Sequence, residues 1–367
     1  MQEIICTNKR VRESGVELLK IIAILLICIS HAVQTAGNYI PYSTPSLDPQ
    51  MLFLNLFRYF GMIGNTIFVV CSAYYLFDSE KSRWDKAFNL LLDSMFISIS
   101  CLIGMLIGGY QIGVKEIVKN IFPDIWSKVW FVPFYVLLYV AHPFLNAGLQ
   151  KMNRKTYLSL IIVLFLVFFV MTFIVPVPEV CALIYAFVIY IFVGYFRRFN
   201  QDFCDNKKKN LILFSVGFGL FLVLATAKYL LGTKISFFQT YPILLYSVSP
   251  FVAISMFGLM NFFRKCNLHS KTINYLSSCS LFVYCFHENY LLRTYIRPQA
   301  YEWCIQQFGT SWAIGWIMTS ALIMFVGGFI LSIIYKETFH RITAWLSKLF
   351  KKWLDMFTGW LEKKIYQ

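Results

Sequence analysis

Apolar residues recur along this chain in ten runs of roughly twenty, each followed by a short polar segment. The runs cover approximately residues 17–36, 56–77, 87–109, 129–148, 157–177, 179–196, 211–231, 241–263, 273–293 and 312–336. At about 1.5 Å per residue, each predicts a helix long enough, or nearly so, to cross about 30 Å of hydrocarbon. Lys9, Arg10 and Arg12 give the first run the look of a signal peptide, but the cleavage signal after it is poor and nine runs follow. It reads as a retained helix.

Two segments break the pattern. Residues 113–128 (GVKEIVKNIFPDIWSK) predict an amphipathic segment on the outer side, before the fourth run. From Arg341 to Gln367, Trp345, Leu349, Trp353, Phe357 and Trp360 recur at helical spacing with lysines between them, which predicts a helix lying on a membrane face. Pro176-Val177-Pro178 predicts a tight outer turn between runs five and six. The organisation expected is a segment over 1–16, a ten-helix membrane domain over 17–336 and a basic amphipathic tail over 337–367. The fold class is all-α and polytopic.

Composition agrees: 58% of the 367 residues are hydrophobic and 14% charged, well below the roughly one quarter charged in soluble proteins. The net charge of +15 sits in short clusters between runs rather than on one stripe, which argues against nucleic acid. Of the 33 basic residues, 24 fall in one alternating set of segments, which includes both chain ends, and 8 in the other. The positive-inside rule makes the richer set, and so both ends, cytoplasmic. Lys20, inside the first run, completes the count. The ten cysteines form no zinc-like spacing and read as buried hydrophobes, so no metal or disulfide framework is expected.

Ionisable groups in hydrocarbon cost at least about 2.5–3.5 kcal/mol each, so those retained are the candidate chemistry. Lys20, Asp93 and His142 fall toward the cytoplasmic side; His31, Arg58, His287 and Glu288 fall toward the outer side. Eleven residues separate Lys20 from His31, about three helical turns and about 16 Å, so both point to one face. A neutral histidine there can take a proton from a hydroxyl during acyl transfer, or carry an acyl group briefly. The alternative is structural: His31 hydrogen-bonds a neighbouring helix and Lys20 snorkels to the interface. His142, beside Pro143, reads as structural, and Asp93 as the counter-ion of Lys20 or another cation on that side.

Several phrases fall in a familiar order. Lys20 and His31 stand eleven residues apart in the first run. Arg58-Tyr59-Phe60-Gly61, with Asn65, leads into Ser72-Ala73-Tyr74-Tyr75-Leu76; Trp130-Phe131-Val132-Pro133-Phe134-Tyr135 opens the fourth run. Gly194-Tyr195-Phe196-Arg197 and Tyr284-Cys285-Phe286-His287-Glu288-Asn289 follow. The set resembles the membrane-bound acyltransferase 3 family, from about residue 12 to 300. The resemblance implies an enzyme of bacterial cytoplasmic membranes that moves an acyl group, usually acetyl, from a coenzyme A thioester to a hydroxyl of an envelope glycan. It puts the catalytic histidine at His31. The family's arginine falls on Lys20, which keeps the charge but not the bidentate fork. Ala73 stands where the family has glycine.

The leading expectation is thus a polysaccharide O-acetyltransferase with acetyl-CoA as co-substrate and no bound cofactor. Lys20 would steady the donor, while Arg58, Asn65, Trp130, Tyr135, His287 and Glu288 shape the site. Its partners would be membrane lipid, acyl-CoA and a surface glycan, and nothing in the sequence fixes an oligomeric state. A transporter of lipid-linked glycan or small metabolites is the alternative, although no inverted repeat is seen. An assembly partner for envelope polysaccharide enzymes is a third reading.

Overall fold

The structure, a computed structural model, describes residues 12–79, 81–126, 131–174, 178–232, 234–235 and 249–365. Trp130, Pro176, Val177, most of the predicted 1–16 segment and the start of the eighth run therefore lie outside the described residues. All regular structure among those described is helical.

In chain order the helices are α1 (Ser14–Ala36), α2 (Pro49–Phe57), α3 (Phe60–Leu76), α4 (Trp84–Ile107), α5 (Val114–Ile121), α6 (Pro123–Trp126), α7 (Phe131–Leu149), α8 (Arg154–Ile174) and α9 (Pro178–Phe199). They continue as α10 (Gln201–Asp205), α11 (Lys207–Leu231), α12 (Pro250–Arg264), α13 (Lys271–Ser277) and α14 (Ser280–His287). A π-helical turn over Leu292–Ile296 then leads into α15 (Arg297–Phe308), α16 (Ala313–Thr338) and α17 (His340–Ile365). Six described stretches are long and apolar enough to cross a membrane: α1, α2 with α3, α4, α7, α11 and α16.

The starts of several helices follow local chemistry. Asp48 accepts the Gln50 amide at 2.8 Å and Pro49 opens α2. Ser249 caps α12 ahead of Pro250 in the same way, and Asn206 caps α11.

One face of the bundle gathers the ends of most of the predicted runs. Ser14 of α1 bonds to Ser270 before α13, Arg12 reaches Asn274, and Tyr275 reaches Glu337 of α16 at 2.6 Å. Arg197 of α9 pairs with Asp78 beyond α3 at 2.8 Å, and Arg198 donates to the Leu149 carbonyl that ends α7. Arg264 and Lys265 after α12 both pair with Asp205, before α11. Burial alone would push the Asp205 carboxyl up, but these two cations hold it below its ordinary range. This face carries the cation clusters that the sequence assigned to one side. On the opposite face, Tyr229 of α11 bonds to Thr44 and Tyr301 of α15 bonds to the Ala32 carbonyl of α1.

α1 is the hub, packed against α3 and α16 and meeting α12, α13 and α14. Its approach to α3 depends on Gly64, where a Cβ would lie 2.5 Å from the Ala23 carbonyl oxygen. Lipid tails are as apolar as the helices, so close backbone packing of this kind drives association. Asn146 of α7, fully buried, donates at 2.8 Å to the Leu76 and Ser79 carbonyls and so satisfies the end of α3.

Two elements differ from the pattern reading. The ninth run is not one helix over 273–293. It breaks at Ser278-Cys279, and α14 stops at His287 within the bundle. The 113–128 segment does not stay at the outer surface either. α5 and α6 fold back along α4: Asn120 bonds to Ser98 and Asp124 accepts from Ser94 at 3.0 Å. One residue links the end of α14 to the inward fold of α5. Asn289 donates to Ser98 Oγ at 2.9 Å and to Asn120 Oδ1 at 3.1 Å. Its own Oδ1 caps the next helical stretch at the Leu291 amide. Backbone freed by the break is satisfied by polar side chains inside the protein, which membranes demand.

Candidate active site

α1 and α14 carry His31 and His287 to the same depth. The ring of His31 lies with Nδ1 3.0 Å from His287 Nε2 and 3.0 Å from Glu288 Oε1. His287 Nδ1 lies 2.8 Å from the Val283 carbonyl one turn earlier. A carbonyl can only accept, so this nitrogen carries the His287 proton and leaves Nε2 with a lone pair. The atom facing both that lone pair and a carboxylate must be a donor. The proton of neutral His31 is therefore on Nδ1, and its Nε2 is the basic nitrogen. Among the described residues no hydrogen-bond partner meets His31 Nε2.

Glu288 is held from both sides. Arg297 reaches Oε1 at 3.1 Å and Arg293 reaches Oε2 at 3.2 Å; Glu288 and Arg297 are buried. Arg297 also donates to the His287 carbonyl, capping α14, and at 3.4 Å to Thr35, whose hydroxyl donates to the His31 carbonyl at 2.9 Å. A carboxylate in a low-dielectric site needs such partners.

The donor atoms of His31, His287 and Glu288 lie within 4.8 Å of one another, a spacing that a metal ion could also use. Both oxygens of Glu288 are already engaged by guanidinium groups, and His287 Nε2 faces the His31 proton. The trio fits a proton relay better than a cation.

Below the trio, toward the basic face, lies a cavity of about 180 Å³ lined by Lys20, Ser72, Phe131, Tyr135, Tyr139 and Tyr284. Tyr284 joins it to the trio: its ring centroid lies 6.5 Å from that of His31 and 5.6 Å from that of His287. Lys20 pairs with Glu17 at 2.8 Å, and Tyr135 shares a 2.9 Å hydrogen bond with Ser72. On the other flank, a groove of about 280 Å³ runs between α15 and α16 past Ile323, Gly327 and Leu331 to His287 and Arg297.

Three of the residues singled out from sequence thus meet: His31, His287 and Glu288. Lys20 and Tyr135 line the cavity beside them. Arg58 sits at the junction of α2 and α3, where its side chain meets Tyr59 and Ser43 while its carbonyl accepts from Ser30 and Gln34 of α1. Asn65 is buried on α3 with its amide near the Met62 sulfur and is not in contact with the trio. His142 is buried on α7, bonded to the Tyr139 carbonyl at 3.0 Å. Asp93 does not pair with Lys20: it accepts from Tyr335 at 2.7 Å and Thr343 at 2.6 Å, and meets His340 at 3.1 Å. Arg293 and Arg297 were missed by sequence reasoning, which counted them only as outer-side charges. Their signal was a pair of cations within ten residues of an intramembrane glutamate.

A helical bundle with six stretches able to cross a membrane is the architecture of an integral membrane protein. A family model described as an acyltransferase domain, acyltransferase 3, matches residues 13–337. The chain belongs to this family. No curated protein and no solved structure matches it significantly.

Proposed function

We propose that this protein moves an acyl group, acetyl in the simplest case, from a coenzyme A thioester at the basic face to a hydroxyl of an envelope glycan on the opposite face. The basic face is then cytoplasmic, and the membrane is the bacterial cytoplasmic one. The observation that carries the reading is the contact of His31 Nδ1 with Glu288 Oε1 at 3.0 Å. With Nδ1–H committed to Glu288, Nε2 is the free base, and Tyr284 links the trio to a cavity that reaches back to Lys20.

In the reaction, the acceptor oxygen attacks the thioester carbonyl as His31 Nε2 takes the hydroxyl proton. The tetrahedral intermediate collapses with loss of the thiolate, which receives that proton from the imidazolium. An ester and free thiol result. Glu288 stabilises the imidazolium, and Arg293 and Arg297 hold Glu288 in place. Positioned base catalysis of this kind is worth about 10²–10⁴ in rate.

The test is proton NMR of surface glycan from cells with the intact protein, the deletion and His31→Ala. Loss of O-acetyl signals in both altered strains at unchanged glycan yield is expected. Retained acetylation with altered glycan export would instead support the transporter alternative.

A further inference from the structure

A second, larger cleft opens on the basic face. It has a volume of about 450 Å³, and its walls include Arg12, Asn89, Asp93, Asn274, Lys336 and His340. Leu90, Ser278 and Leu281 line both this cleft and the Lys20 cavity, so the two adjoin. Its cations are not used up. Arg12 donates through Nη1 to the Asn274 carbonyl at 3.2 Å, and Lys336 donates to Ser278 while lying 3.9 Å over the Tyr275 ring. A guanidinium has five N–H donors and an ammonium three. The one acid in the wall, Asp93, is buried and already taken by Asn89, Tyr335, Thr343 and His340.

The geometry points to this cleft as the subsite for the phosphorylated ribose of the acyl donor, with Arg12 and Lys336 as ligands of its phosphate. The inference rests on the coenzyme A reading above and deepens it. Reach supports it. The arm between a thioester sulfur and the pyrophosphate has about thirteen bonds, or about 15 Å when extended like a peptide of four to five residues. Lys20 and His31 are about 16 Å apart along α1. A thioester at His31 thus puts the pyrophosphate near Lys20, and the phosphorylated ribose falls outside it, in the cleft. Lys20, paired with Glu17, handles only part of that charge.

The test is titration calorimetry on the full chain in lipid nanodiscs, with coenzyme A, its 3′-dephospho form and pantetheine as probes. Arg12→Gln and Lys336→Gln are each expected to weaken coenzyme A binding about tenfold while leaving pantetheine within twofold, with Lys336→Arg restoring affinity. Unchanged pantetheine binding shows that the variants are folded. The cleft assignment is overturned, with the donor reading intact, if coenzyme A binds both variants as tightly as the parent, or if coenzyme A and pantetheine weaken together. Failure of the parent to bind coenzyme A at all overturns both.

Discussion

With its Nδ1 proton committed to Glu288, His31 has one nitrogen left for chemistry, and that commitment can be tested apart from the histidine itself. In Glu288→Gln the amide keeps the shape but can present N–H to His31 and invite the other tautomer. kcat should then fall by about 10²–10⁴ with little change in donor KM. An unchanged kcat would remove Glu288 from the relay. His31, His287 and Glu288 were visible in the sequence because ionisable groups in apolar runs are few. Their arrangement was not visible, because it depends on which side chain of one helix reaches which of another. Arg297 illustrates the limit. It is far from His31 in sequence and reads as a loop cation, yet it caps α14 and grips Glu288.

At the scale of helices, the runs predicted the ends of most described helices to within a few residues, and six of these stretches are long and apolar enough to cross a membrane. The break in the ninth run escaped because every residue from Ser280 to His287 suits a continuous helix. The chain leaves helix at Ser278-Cys279 and again after His287, where Asn289 finds Ser98 and Asn120, partners supplied by other elements. Packing between helices was equally silent in the pattern but is open to measurement. In Gly64→Ala the new methyl would press on the Ala23 carbonyl, for a loss of about 1–3 kcal/mol that thermal melting of the purified protein would report. Gly219, where a Cβ would meet nothing within 4 Å, is the control: Gly219→Ala should not lower the melting temperature. Equal melting of the two variants would contradict the α1–α3 account.

Over the whole molecule, charge asymmetry found the basic face, because loop composition follows topology rather than contacts. The docking of α17 was not legible. Its stripe of exposed aromatics, with Trp353 stacked on Phe357, reads as a lipid-facing surface. Its first turns, however, are tied down by Thr343 on Asp93 and Ser347 on Asn89, with Phe350 stacked on Phe88. Asp93→Ala leaves Tyr335, Thr343 and Asn89 without their shared acceptor and should loosen this helix. Trypsin should then cut at Lys348, Lys351 and Lys352 several-fold faster than in the parent, whereas equal rates would mean that α17 is held elsewhere.

The groove between α15 and α16 leads from His287 and Arg297 along a mostly apolar wall of Ile323, Met324, Gly327 and Leu331. In a membrane, hydrocarbon closes it. On the proposed function, the surrounding phase is one wall of the reaction chamber, and extraction rebuilds that wall from whatever amphiphile is used. Rates measured in micelles and in bilayers compare two differently walled catalysts rather than one catalyst in two solvents.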